Sequence, residues 1–130
     1  MNMQHILKSM LVFWLFCTMG CAALVVGGAA AVGTYTYVAG QLVSTYNANL
    51  DRTFEATVAG CTSLGLPISS QEKKLSSASV KTMDGDKDVW ITLKAKTSST
   101  TEVRVRVGYL GDEFASKRIH DAIQANLNRL

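Results

Sequence analysis

The sequence predicts an α+β fold: a two-layer sandwich of about four mainly antiparallel strands with two helices on one face, in the order β-α-β-β-β-α. Two observations set the sheet. Val89, Ile91, Leu93 and Ala95 alternate with Trp90, Thr92, Lys94 and Lys96, and Val103, Val105 and Val107 alternate with Glu102, Arg104 and Arg106. That period of two belongs to strands with one face buried and one wet. A third observation sets the helices. Leu50, Phe54, Val58, Cys61 and Leu64 recur at helical spacing, as do Ala115, Ile119, Ile123, Leu127 and Leu130. Two amphipathic helices can cover one apolar face of a single sheet.

In chain order, the first segment is not part of that sandwich. No charged residue occurs between Lys8 and Asp51. A short polar start with Lys8 is followed by "SMLVFWLFCTM", which supplies about ten apolar residues, the length of a signal core and short of a bilayer span. Gly20 precedes Cys21, and Ala22 and Ala23 follow. This resembles a bacterial lipoprotein signal, cut before a cysteine whose sulfur carries diacylglycerol, with palmitate as a typical further chain. Thr18 stands where that pattern prefers Leu. Cys17 follows bulky Phe16 and reads as part of the apolar core. The expected organisation is a signal peptide over 1–20, a Gly/Ala-rich tether over 21–34 and one domain over 35–130. Two alternatives stay open: an uncleaved inner-membrane helix running on through "CAALVVGGAAAVG", and ordinary secretion.

"TYTYVAGQLVSTYN" reads as a strand, bulged at Ala39-Gly40. The helix that follows has Asn49 as its cap, Gly65 as its stop and Pro67 beyond it. Ile68 to Val80 is expected to give one irregular strand, Asp84-Gly85 a turn, and "TSST" a hairpin loop between the two strongest strands. Asp112 caps the last helix, where Glu113 and Lys117 stand at i,i+4. Cys61, on a helix stripe, reads as a small buried hydrophobe. With Cys17 removed and Cys21 lipidated, no internal disulfide can form.

The chemistry-bearing patterns are few. Asp112, Ser116 and His120 recur every four residues along one side of the last helix, but a single exposed helix does not aim three side chains at one substrate. They read as a solvated face, with a small periplasmic hydrolase as the alternative; no catalytic residue is assigned. Asp84, Asp86 and Asp88 alternate as in a calcium loop, yet the twelfth position is Ala95 rather than Glu, so an acidic turn is expected. No metal site and no cofactor are expected. The net charge of +3 is mild and not gathered into a basic stripe, which speaks against nucleic acid. The pleat directs Trp90, Lys94, Lys96, Arg104 and Arg106 to one side of the sheet. These five form the candidate partner-binding surface, suited to an envelope protein, anionic lipid or cell-wall polymer.

The cysteine with its Gly/Ala run, "YTYVAGQL", and "VRVGYLGDEFASKRIHDAI" together resemble a small uncharacterised family of bacterial lipoproteins. Its C-terminal signature falls here on Arg106, Val107, Gly108, Gly111, Asp112, Glu113, Ser116 and Ile119. The resemblance implies lipidation at Cys21 and a periplasm-facing, membrane-anchored domain of unknown function. Ala22, where Asp would retain a lipoprotein at the inner membrane, points to the outer membrane.

Overall fold

A computed structural model describes residues 3–6, 8 and 35–130. The chain divides into two units, Met1–Val32 and Gly33–Leu130. In the first, residues 3–6 and 8 are helical. The signal core, Cys17, Cys21 and the 21–34 tether lie outside the described residues. Among the described residues no helix is long and apolar enough to cross a membrane.

The second unit is an α+β sandwich of one antiparallel sheet and two helices. Its elements are β1 (Thr36–Val38), β2 (Gln41–Tyr46), α1 (Leu50–Ser63), β3 (Ile68–Lys73), β4 (Ser77–Asp84), β5 (Lys87–Thr97), β6 (Thr100–Val107) and α2 (Glu113–Leu127). The sheet order is β1-β2-β6-β5-β4-β3. Six strands replace the expected four because two segments fold back on themselves. Ala39 and Gly40 both take positive φ, 52° and 80°, which makes them the two central residues of a tight hairpin rather than a bulge. Lys74 to Ser76 splits the Ile68–Val80 segment, with the Lys74 N–H donating to the Ser77 carbonyl at 2.7 Å.

Sequence periodicity sets the core. Val89, Ile91 and Leu93 on β5 and Val103, Val105 and Val107 on β6 are all buried, with Ala78 and Val80 of β4 beside them. Ile119, Ile123 and Leu127 of α2 close over them. Helix α1 begins at Asn49, whose side chain accepts the Arg52 N–H at 2.8 Å. It ends where Leu66 N–H reaches the Cys61 carbonyl at 2.9 Å and Gly65 N–H reaches Thr62, with Gly65 at φ 70°. That is the Schellman arrangement, and it needs the left-handed residue that glycine supplies.

The buried side of α1 is rotated from the expected stripe. Leu50 and Cys61 are buried, but Thr53, Ala56, Thr57 and Gly60 share that face, while Phe54, Val58 and Leu64 sit at its margin. The cause is the neighbouring helix. A Cβ on Gly60 would stand 3.3 Å from the Ala122 carbonyl carbon and the Ile123 nitrogen of α2. Close helix approach demands small residues at the contact, so the large apolar side chains move to its flanks.

Candidate functional site

The sheet face away from the helices carries all five residues expected there, and the ladder register fixes their neighbours. Trp90 lies between Lys81 of β4 and Arg106 of β6, Thr92 between Ser79 and Arg104, and Lys94 between Ser77 and Glu102. Trp90 is 38% exposed. Lys81 Nζ stands 5.8 Å from its ring centroid, within reach of a cation–π contact.

The five are not equivalent. Glu102 lies among them and takes two of the cations, Arg104 Nε at 2.8 Å and Lys96 Nζ at 3.3 Å. The Arg104 hydrogen bond, supported by Lys96, holds the Glu102 carboxyl below the usual carboxylate range. Arg106 turns away toward the β1–β2 hairpin. Its Nη2 donates to the Ala39 carbonyl at 3.2 Å, and its Nε is buried without a partner among the described residues. Three of the four cations expected on this face are therefore engaged within the domain. Glu102 neutralises part of the patch because the pleat sends it to the same side as Arg104, and Arg106 braces a turn. What stays open is Trp90 with Lys81 and Lys94. Beside them lies a solvent-open hollow of about 200 Å³ lined by Glu72, Lys74, Ser77, Ala78, Ser79 and Thr92. Lys81 is legible in sequence after the fact: Ala78, Val80 and Thr82 alternate inward, which sends Ser79 and Lys81 outward.

The last helix overturns a second expectation. Ser116 and His120 do not belong to a solvated face; both are 0% exposed. Their side of α2 faces β2, where Leu42, Ser44 and Tyr46 point inward. His120 Nε2 lies 2.8 Å from the Leu42 carbonyl oxygen, and Nδ1 lies 2.7 Å from the Tyr46 hydroxyl. Burial holds His120 below its ordinary pKa, so the ring is neutral. A carbonyl only accepts, so Nε2 carries the proton and Nδ1 accepts from Tyr46. Burial likewise pushes the Tyr46 phenol up, away from ionisation. The Ser116 and Ser44 hydroxyls are buried without partners among the described residues.

Asp112 remains the cap, accepting the Ala115 N–H at 2.9 Å and Lys87 Nζ at 3.2 Å. It is thereby committed away from His120. Lys117 pairs with Asp121 at 2.8 Å, not with Glu113 as expected. Asp121 also accepts from the Tyr35 hydroxyl at 3.0 Å. Asp84, Asp86 and Asp88 frame the β4–β5 turn, with Asp84 bound to Arg118 at 2.7 Å. Cys61 is buried, and burial pushes its thiol up to about 11, which makes it a poor nucleophile.

A family model described as "Protein of unknown function (DUF3568)" matches residues 5–126. The chain belongs to the DUF3568 family. The DUF3568 match runs through the apolar head and Cys21 as well as nearly the whole sandwich, so both parts fall within one family unit. No curated protein matches the chain.

Proposed function

We propose that this DUF3568 protein is a lipid-anchored bacterial envelope protein. It is held at the periplasmic side of the outer membrane through Cys21, and its domain is a non-catalytic module for an anionic cell-wall polymer. The anchor is supported by the charge-free head, by small Gly20 before Cys21 and by Ala22 after it. The single observation that carries the binding reading is the exposed Trp90 ring, with Lys81 beside it, Lys94 four residues further along the same face of β5, and the hydroxyls of Ser77, Ser79 and Thr92 along that face. An indole offers a stacking surface to a sugar ring, the ammonium groups attract polymer carboxylates, and the hydroxyls exchange hydrogen bonds with sugar hydroxyls.

Co-sedimentation of the purified full chain with peptidoglycan sacculi tests this. Trp90→Ala combined with Lys94→Glu is expected to abolish salt-sensitive retention while leaving the fold intact by circular dichroism. Unchanged retention would remove the site. Intact mass separately tests the anchor: a diacylglyceryl adduct on an N-terminal Cys21 is expected, and an uncleaved leader with a free thiol would favour the inner-membrane helix instead.

A further inference from the structure

Three large apolar side chains are almost fully outside the core at one end of the sheet: Tyr109 is 87% exposed, Leu110 85% and Phe114 84%. Tyr109 and Leu110 lie in the β6–α2 loop and Phe114 in the first turn of α2. Isolated exposed apolar residues are ordinary, but three within six positions form a patch that calls for an occupant.

We infer that this tip is a membrane-contact surface whose side chains enter the headgroup–acyl boundary of the bilayer. Three observations favour lipid. The tip is braced from behind: a Cβ on Gly111 would stand 2.6 Å from Gly40 Cα and 2.7 Å from the Tyr37 hydroxyl oxygen, and Lys87 holds Asp112 across the loop. The side chains are therefore presented by a fixed backbone, and their insertion carries little ordering cost. The composition, a tyrosine and a phenylalanine around a leucine, is that of residues favoured at membrane interfaces. Finally, the chain enters the sandwich beside the tip. Tyr35 packs on α2 with its hydroxyl on Asp121, and Tyr37, two residues later and about 7 Å along the strand, touches Gly111. Residues 21–34 reach at most about 50 Å when fully extended. A lipid on Cys21 would thus hold the tip's side of the domain within that distance of the bilayer. This last argument alone rests on the anchor proposed above.

The test uses the full chain in vesicles of phosphatidylethanolamine and phosphatidylglycerol. An environment-sensitive fluorophore is attached at Leu110→Cys, and in a separate variant at Ser98→Cys, in the β5–β6 turn at the other end of the sheet; buried Cys61 does not compete, and the unsubstituted chain taken through the same labelling sets the background from Cys17 and Cys21. The label at 110 is expected to brighten several-fold and to be quenched by nitroxide-bearing lipids, whereas the label at 98 stays accessible to aqueous iodide. Adding Phe114→Asp is expected to return the label at 110 to water with the thermal midpoint unchanged. A label at 110 that stays water-exposed, or that is shielded only by a second copy in vesicle-free solution, overturns the inference. Failure of the anchor is read separately from intact mass, because an uncleaved helix would still bring the chain to the vesicle.

Discussion

Tyr46 on β2 and His120 on α2, 74 positions apart in sequence, share a 2.7 Å hydrogen bond inside the core, and the opposite ring nitrogen of His120 donates to the Leu42 carbonyl. The pair ties the last helix to β2, the strand next to the sheet edge that β1 forms. It also fixes one tautomer of a neutral imidazole.

Tyr46→Phe leaves the buried Nδ1 of His120 without a donor, and His120→Ala leaves the Tyr46 hydroxyl only its longer bond, at 3.2 Å, to the backbone carbonyl of residue 120. Tyr46→Phe is expected to destabilise the domain by about 1–3 kcal/mol, and His120→Ala by about 2–5 kcal/mol because a cavity is added. A double-mutant cycle in urea should show that the two losses are not additive. Additive losses would dissolve the pair.

Stability should also fall in mild acid. The folded-state pKa of His120 is depressed by burial relative to the unfolded 6.5. Below pH 6.5 the unfolded chain binds a proton that the folded chain resists, so this contribution is present above that pH and is lost as pH falls toward the folded value. Urea midpoints measured from pH 8 downward check this, and His120→Gln should flatten the profile in that window.

Ser116 carries a buried hydroxyl without a partner among the described residues. Ser116→Ala is expected to be neutral or to stabilise the domain by up to about 1 kcal/mol, because an unpaired hydroxyl is removed with little volume lost. A marked destabilisation would mean that the hydroxyl is bonded in solution.

At the other end of the pH scale, Tyr35 is pushed up to about 12 by burial, with Asp121 adding to the effect through its hydrogen bond and its charge. The neutral phenol is the favoured form, so its contribution is intact below the unfolded value of 10 and is lost as pH rises toward 12. Ultraviolet titration of tyrosinate should show Tyr35 ionising late and Tyr46 later still, and Asp121→Asn should bring Tyr35 earlier.

Glu102 sets the charge of the open sheet face. Glu102→Gln frees Arg104 and Lys96 and is expected to strengthen retention on peptidoglycan several-fold at low salt, with the gain fading as salt rises. Stability should change by less than about 1 kcal/mol, since both ion pairs are surface pairs. Weaker retention would mean that Glu102 itself contacts the polymer.

The alternating valines of β5 and β6, the caps at Asn49 and Asp112 and the stop at Gly65 are legible in the chain, because each depends on neighbours within a few residues. The hairpin at Ala39-Gly40 is harder to read: it needs a positive φ at an alanine, which no local signal announces, and it accounts for one of the two strands beyond the expected four. Helical spacing shows that residues 113–127 form a helix, but Ser116 and His120 are as compatible with a wet face as with a dry one. That choice was made when β2 presented Tyr46 and the Leu42 carbonyl as partners that remove the cost of burying an imidazole. In the same way, sequence placed Trp90, Lys94, Lys96, Arg104 and Arg106 on one side of the sheet, since the pleat dictates it. Which of them are free was decided only when folding brought the Ala39 carbonyl to Arg106 and set Glu102 between Arg104 and Lys96.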